Sequence, residues 1–126
     1  MGNKDGMNYA PIGKINRVVE PGAFNVGVTA LDHGHINGMT NGLIEAGATI
    51  KYVYDPDAEK VANYLESFPD VTVAESLEQI LEDTEIQLVA AAAVPNLRSA
   101  LGNRVMRAGK DYFTDKTGFT TLEQLE

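Results

Sequence analysis

Residues 24–57 read FNVGVTALDHGHINGMTNGLIEAGATIKYVYDPD, and the whole fold follows from this stretch. Phe24 to Ala30 is a short apolar and β-branched run with the length of a buried strand. Behind it Ile36, Met39 and Leu43 recur at i, i+3 and i+7, which is one face of a helix. Gly47 then supplies the left-handed residue that stops it. Ala48 to Tyr54 is a second strand, and Asp55-Pro56-Asp57 places proline at the start of another helix. Strand, helix, strand, helix with short joints means parallel strands joined by helical crossovers.

The same alternation continues down the chain. Val61, Tyr64, Leu65 and Phe68 form an apolar stripe that ends before Pro69, and Val71 to Val73 is a third strand. Ser76-Leu77-Glu78-Gln79 is a capping box opening a short helix with Leu77, Ile80 and Leu81 inward. Ile86 to Ala93 (IQLVAAAA) is a fourth strand. Asn96 is expected to cap a helix carrying Leu97, Leu101, Val105 and Met106, which stops at Gly109. Asp111 to Thr114 is the fifth strand. The fold class is therefore α/β: a three-layer, doubly wound parallel sheet of about five strands over residues 24–126. Residues 1–23, with Gly2, Gly6, Pro11, Gly13, Pro21 and Gly22, read as an extended arm with a short strand at Arg17-Val18-Val19. A second capping box, Thr121-Leu122-Glu123-Gln124, stands two residues before Glu126. A helix that short is marginal in water, so the domain reads as interrupted within its last helix.

Composition removes several classes of function. The 126 residues are 44% hydrophobic and 22% charged, a globular balance that excludes general disorder. A net charge of −8 argues against nucleic acid and anionic membrane as partners. No cysteine is present, which excludes disulfides and thiolate chemistry. No apolar run has the length of a membrane span, and MGNKDGMNYAPIGK is too polar for a secretory signal, so a cytoplasmic location is expected. Ten acids lie between residues 55 and 85 with Lys60 as the one cation among them, and they read as solvated outer faces of helices.

In an open parallel sheet, ligands bind beyond the carboxyl ends of the strands, beside the first one. That edge holds Ala30-Leu31-Asp32-His33-Gly34-His35, then Asp55, then Val94-Pro95-Asn96, then Asp115-Lys116-Thr117. A dinucleotide site wants G-x-G-x-x-G in the first loop. Ala30, Asp32 and His35 occupy those three places, and Gly34 is displaced. Asp32 puts an anion where a pyrophosphate would pass, which costs binding unless it turns away or a cation intervenes. Asp55 ends the second strand, where an acid can accept both ribose hydroxyls of an adenosine and disfavour a 2′-phosphate. Equally, it can be the N-cap of the next helix. Under the ribose reading, Asp55→Ala weakens NAD binding and leaves folding almost unchanged. His33 and His35 at i, i+2 offer two or three ligands with Asp32 and no evident fourth, so no metal is expected there. Lys116 is placed to meet a substrate oxygen or to be an ordinary surface lysine.

Taken in order, NVGVTALDHGHINGM, GLIEAGATIKYVYDPDAEKV, SLEQILEDTEIQLVAAAAVPN and VMRAGKDYFTDKTGFTTLEQLE resemble the NAD-binding Rossmann half of the Gfo/Idh/MocA oxidoreductases (glucose–fructose oxidoreductase, inositol dehydrogenase and MocA-like proteins). The likeness covers residues 24–126. Asp55 matches the family's acid, Val94-Pro95-Asn96 its TPN turn, Ala108-Gly109-Lys110 its AGK, and Asp115-Lys116-Thr117 its EKP. The departures are the glycine fingerprint, Thr117 in place of the proline, and Ser99 where a histidine is usual. The resemblance implies NAD as cofactor in preference to NADP, held by residues 30–35, Asp55 and residues 94–96. It also implies hydride exchange with a sugar, inositol or similar polyol, with Lys116 as the catalytic lysine. The family's larger α+β domain, which makes the substrate pocket, has no counterpart in these 126 residues, so a polyol is a partner only of a longer parent. Apolar surface left on the sheet would favour a homo-oligomer.

Overall fold

The structure is a computed structural model that describes residues 17–126. Most of the arm expected over residues 1–23 lies outside the described residues. Five parallel strands, β1 Asn25–Thr29, β2 Thr49–Tyr54, β3 Thr72–Val73, β4 Ile86–Ala91 and β5 Asp111–Thr114, form one sheet in the order β3-β2-β1-β4-β5. The helices are α1 His35–Glu45, α2 Ala58–Ser67, α3 Leu77–Glu82, α4 Arg98–Arg107 and α5 Leu122–Leu125. Each expected strand from residue 24 onward is present, β5 with the expected bounds and the others trimmed by a residue or two. Strand order reverses between β1 and β4, so a crevice opens there beyond their carboxyl ends.

Two cores back the sheet. On one side Val26, Val28, Ile36, Ile50, Val53, Val61, Tyr64 and Phe68 pack together, with Met39, Leu43 and Leu65 against them. On the other Ala74, Ile80, Ile86, Val89 and Val105 do so, with Leu81, Leu101 and Tyr112 alongside. The first core joins α1 to α2 through a buried polar pair. Thr40 Oγ1 lies 2.8 Å from the Ile36 carbonyl and 3.0 Å from the Tyr64 hydroxyl. Burial pushes that phenol up to about 12.

Several end signals act as read from the sequence. Ser76 Oγ accepts from the Gln79 amide at 3.2 Å, and Thr121 Oγ1 accepts from the Gln124 amide at 3.2 Å. Gly47 and Gly109 take φ of 107° and 79°, the left-handed stops expected of them. The expected strand at Arg17-Val18-Val19 is absent. Those residues instead lie over the end of α1, where the Val18 and Val19 amides both donate to the Ala46 carbonyl. The acidic run is exposed apart from buried Asp55 and half-buried Asp83. Asp83 and Glu85 hold Lys51 between them at 2.6 Å each. No helix among the described residues is long and apolar enough to cross a membrane.

Candidate functional site

At the crevice, β1 ends in a loop that the neighbouring strand fixes. The Ala92 amide donates to the Ala30 carbonyl and the His33 amide to the Ala92 carbonyl, each at 3.0 Å. Ala30 has φ of 53°, a left-handed conformation that the first glycine of a phosphate-binding loop adopts without strain. The loop thus makes its first turn through a left-handed residue that carries a methyl group.

Asp55 sits at the end of β2 and is 8% exposed. Its Oδ2 accepts from the Leu31 amide at 2.8 Å and its Oδ1 from the Asp57 amide at 2.9 Å. The N-cap of α2 is Asp57, whose side chain accepts from the Glu59 amide. Asp55 is therefore not the helix cap. It ties the first loop to the second and keeps two of its roughly four lone-pair sites for something else. Asp32 turns toward α2, where Lys60 Nζ meets its Oδ1 at 2.6 Å, and the Val94 amide donates to its Oδ2 at 3.3 Å. The ion pair holds the Lys60 ammonium above its ordinary pKa, with Asp32 as the first cause. A cation does intervene at the awkward carboxylate.

Two adjoining clefts result. One of about 390 Å³ is lined by Ala30, Asp55, Lys60, Leu77, Leu97 and Leu101, among others. The other, about 220 Å³, is lined by His33, His35, Val94, Pro95, Asp115 and Lys116, among others. Asp32 and Ala93 belong to both, so the two form one groove across the switch point. Of the residues expected at the site, Ala30, Asp32, His33, His35, Asp55, Val94, Pro95 and Lys116 line this groove. Leu31 is buried beneath it, and Gly34 occupies the N-cap position of α1.

Asn96 departs from expectation. Val94-Pro95-Asn96 leads into a single 3₁₀ turn, Pro95–Leu97, and no side chain caps either that turn or α4. Asn96 lines neither cleft; its carbonyl accepts from Gln124 Nε2 at 3.0 Å. The expected stripe on α4 holds in part: Val105 is buried and Leu101 packs beside it, whereas Leu97 and Met106 are exposed and Arg98 and Gly102 are buried in their stead.

Three residues matter more here than the sequence suggested. Arg98, 2% exposed, donates from Nε to the Ala93 carbonyl at 2.7 Å and from its guanidinium to the Lys116 and Thr117 carbonyls. It ties the β4 loop to the backbone that carries exposed Lys116. Asp115 accepts from the Lys116 amide at 2.8 Å and lies 2.7 Å from His35 Nδ1. The His35 hydrogen bond and then the Lys116 amide hold its carboxyl below the usual range. Lys60 is the third. It was visible as the one cation of the acidic run, but its pairing with Asp32 was not.

Comparison with protein-family models gives no match, and neither does comparison with curated proteins. Solved structures do match. A protein described as a putative oxidoreductase from Erwinia carotovora atroseptica SCRI1043 is 41% identical over 81% of this chain, with a TM-score of 0.78. The myo-inositol dehydrogenase of Lactobacillus casei, solved with NAD(H) and myo-inositol, is 27% identical over 81% of the chain, with a TM-score of 0.67. GenD2 from gentamicin A biosynthesis, solved with NAD, is 17% identical over 91% with a TM-score of 0.73, a likeness of fold. The chain spans 31%, 31% and 32% of these three proteins' lengths. By its fold and strand order the chain is a Rossmann domain, and its solved neighbours are Gfo/Idh/MocA-type oxidoreductases.

Proposed function

We propose that this chain is the nicotinamide-dinucleotide-binding domain of an oxidoreductase. The observation that carries the reading is Asp55. It is a buried carboxylate at the end of β2, with two acceptor sites unspent, at the wall of the larger cleft. That is where the ribose of an adenosine meets an acid in this fold. Ala30, Leu31, Asp32, His33, Gly34 and His35 would carry the pyrophosphate past the switch point, with Lys60 offsetting Asp32. Val94, Pro95 and Asn96 would form the far wall. NAD is preferred over NADP, because a 2′-phosphate would face Asp55 and Asp57 without a new cation.

The bound cofactor supplies hydride transfer. In a whole protein, the substrate class is a sugar, inositol or similar polyol, and Lys116 would hydrogen-bond the reacting oxygen and help move its proton. Arg98 supports that role by fixing the Lys116 carbonyl, so that the side chain rises from an anchored backbone.

Calorimetric titration of NAD into the folded chain tests this reading. We expect saturable heat that Asp55→Asn weakens at least tenfold, and weaker binding of NADP than of NAD. Absence of heat at millimolar cofactor, with the chain folded, would favour a second reading. In that reading the domain is a non-catalytic interaction module whose pyrophosphate lane is closed by the Asp32–Lys60 pair.

A further inference from the structure

We propose that His33, His35 and Asp115 form a binding site for one divalent transition-metal ion, such as Zn²⁺ or Co²⁺. One nitrogen from each imidazole and one carboxylate oxygen lie within 4.8 Å of one another. The sequence shows the two histidines together, but the third donor stands 80 residues away from His35 and reaches it only because β5 ends beside the first loop. Three protein ligands with an open position are the arrangement of a reactive site rather than a closed structural one.

The geometry suits an ion of this size. Asp115 Oδ2 lies 2.7 Å from His35 Nδ1 and 3.8 Å from His33 Nδ1. Metal–ligand bonds of about 2.0–2.1 Å in a tetrahedron separate the donors by about 3.3 Å, between those two distances. His33 Nδ1 also accepts from the His35 amide at 3.1 Å, so the ion either displaces that bond or takes the ring's Nε2 instead. Each ligand is held from behind. The Lys116 amide takes Asp115 Oδ1, which leaves Oδ2 facing the imidazoles. The His33 amide is fixed on Ala92, and His35 is the first residue of α1. Both imidazoles are about half exposed and Asp115 is 15% exposed, so an ion can reach them from solvent.

Donor chemistry selects the metal. Two imidazoles and one carboxylate favour zinc, cobalt, nickel or copper over magnesium and calcium, which prefer oxygen. Arg98 Nη2 stands 4.0 Å from the same Oδ2, on its buried side. Its charge and that of Lys116 would draw an anionic oxygen into the open positions. The site shares His33 and His35 with the proposed pyrophosphate path but needs no cofactor to form, so ion binding to the cofactor-free chain tests it separately from that reading.

The sequence makes the test clean, since the chain has two histidines and no cysteine. Co²⁺ and Zn²⁺ are titrated into the untagged, chelator-treated full chain with millimolar Mg²⁺ present to fill carboxylate-only sites. One equivalent of Co²⁺ should develop visible d–d absorption. One equivalent of Zn²⁺ should shift the imidazole NMR resonances of His33 and His35 together, a reading that needs no variant. His35→Ala and Asp115→Asn should each weaken the ion at least tenfold. Unmoved imidazole resonances, or an affinity unchanged in either variant, would overturn the site.

Discussion

Ala30 holds φ at 53°, where a Cβ presses on its own backbone and glycine does not. Ala30→Gly should therefore stabilise the domain by about 0.5–1 kcal/mol, the reverse of the usual effect of glycine on a folded chain. Urea unfolding would show it as a raised midpoint; a lowered one would mean that the methyl group's contacts outweigh the strain. Asp55 needs its own correction. Because it accepts the Leu31 and Asp57 amides, Asp55→Ala strands buried donors and should cost about 1–3 kcal/mol, not leave folding almost unchanged. Asp55→Asn keeps an acceptor oxygen for one of the two amides and leaves the other unpartnered, so it should lose about half as much, which is why it is the better variant for cofactor titrations. The place of Asp55 was legible from one strand end. The partners of Asp32 and Asp115 were not, since Lys60 and His35 meet them across 28 and 80 residues of chain.

Helix α1 holds Gly38 and Gly42 and α4 holds Gly102; helix propensity counts all three as defects, but Gly102 is not one. A Cβ on exposed Gly42 would meet nothing within 4 Å, whereas one on Gly102 would stand 2.5 and 2.6 Å from ring atoms of Tyr112. That ring is held in place by its hydroxyl donating to the Arg98 carbonyl at 3.1 Å. Gly42→Ala should add about 1 kcal/mol of stability. Gly102→Ala gains the same propensity but overpacks, at about 1–3 kcal/mol, so the net change should be a loss. Opposite signs in parallel denaturant titrations would confirm the contrast; equal gains would show that Tyr112 moves aside freely. The same contact explains why the buried face of α4 departs from the apolar stripe at Leu97 and Met106. Leu97, Leu101, Val105 and Met106 are the apolar residues, yet the face against β5 is built on Arg98, Gly102 and Val105, because small Gly102 lets the helix approach the Tyr112 ring. Capping boxes and glycine stops were legible because they are local; a face chosen by close approach is not.

Over the whole molecule, the order β3-β2-β1-β4-β5 does two things at once. It gathers the ends of β1, β2, β4 and β5 around one groove, and it leaves β5 as an edge. Between Arg17 and Ala93 the exposed large apolar residues are Val18, Ile44 and Val73, each isolated in sequence. Beyond Ala93 they crowd: Val94, Leu97, Met106, Phe113, Phe119, Leu122 and Leu125. Met106, Phe119 and Leu125 line a common cleft of about 190 Å³ beside α4. The net charge of −8 opposes association, but much of it resides in the acidic run between residues 55 and 85. Concentrated apolar surface on an edge strand and its neighbouring helices favours pairing with another surface. We therefore expect this chain to form a homo-oligomer whose contact runs through α4, β5 and α5. Sedimentation velocity should show a concentration-dependent increase in mass, strengthened by salt as the acidic faces are screened. Leu122, 80% exposed, is the residue to change. Leu122→Asp should return the chain toward monomer and leave the unfolding midpoint within experimental error, because the side chain is not part of either core. A monomer at hundreds of micromolar in high salt would mean that this apolar surface does not pair with itself.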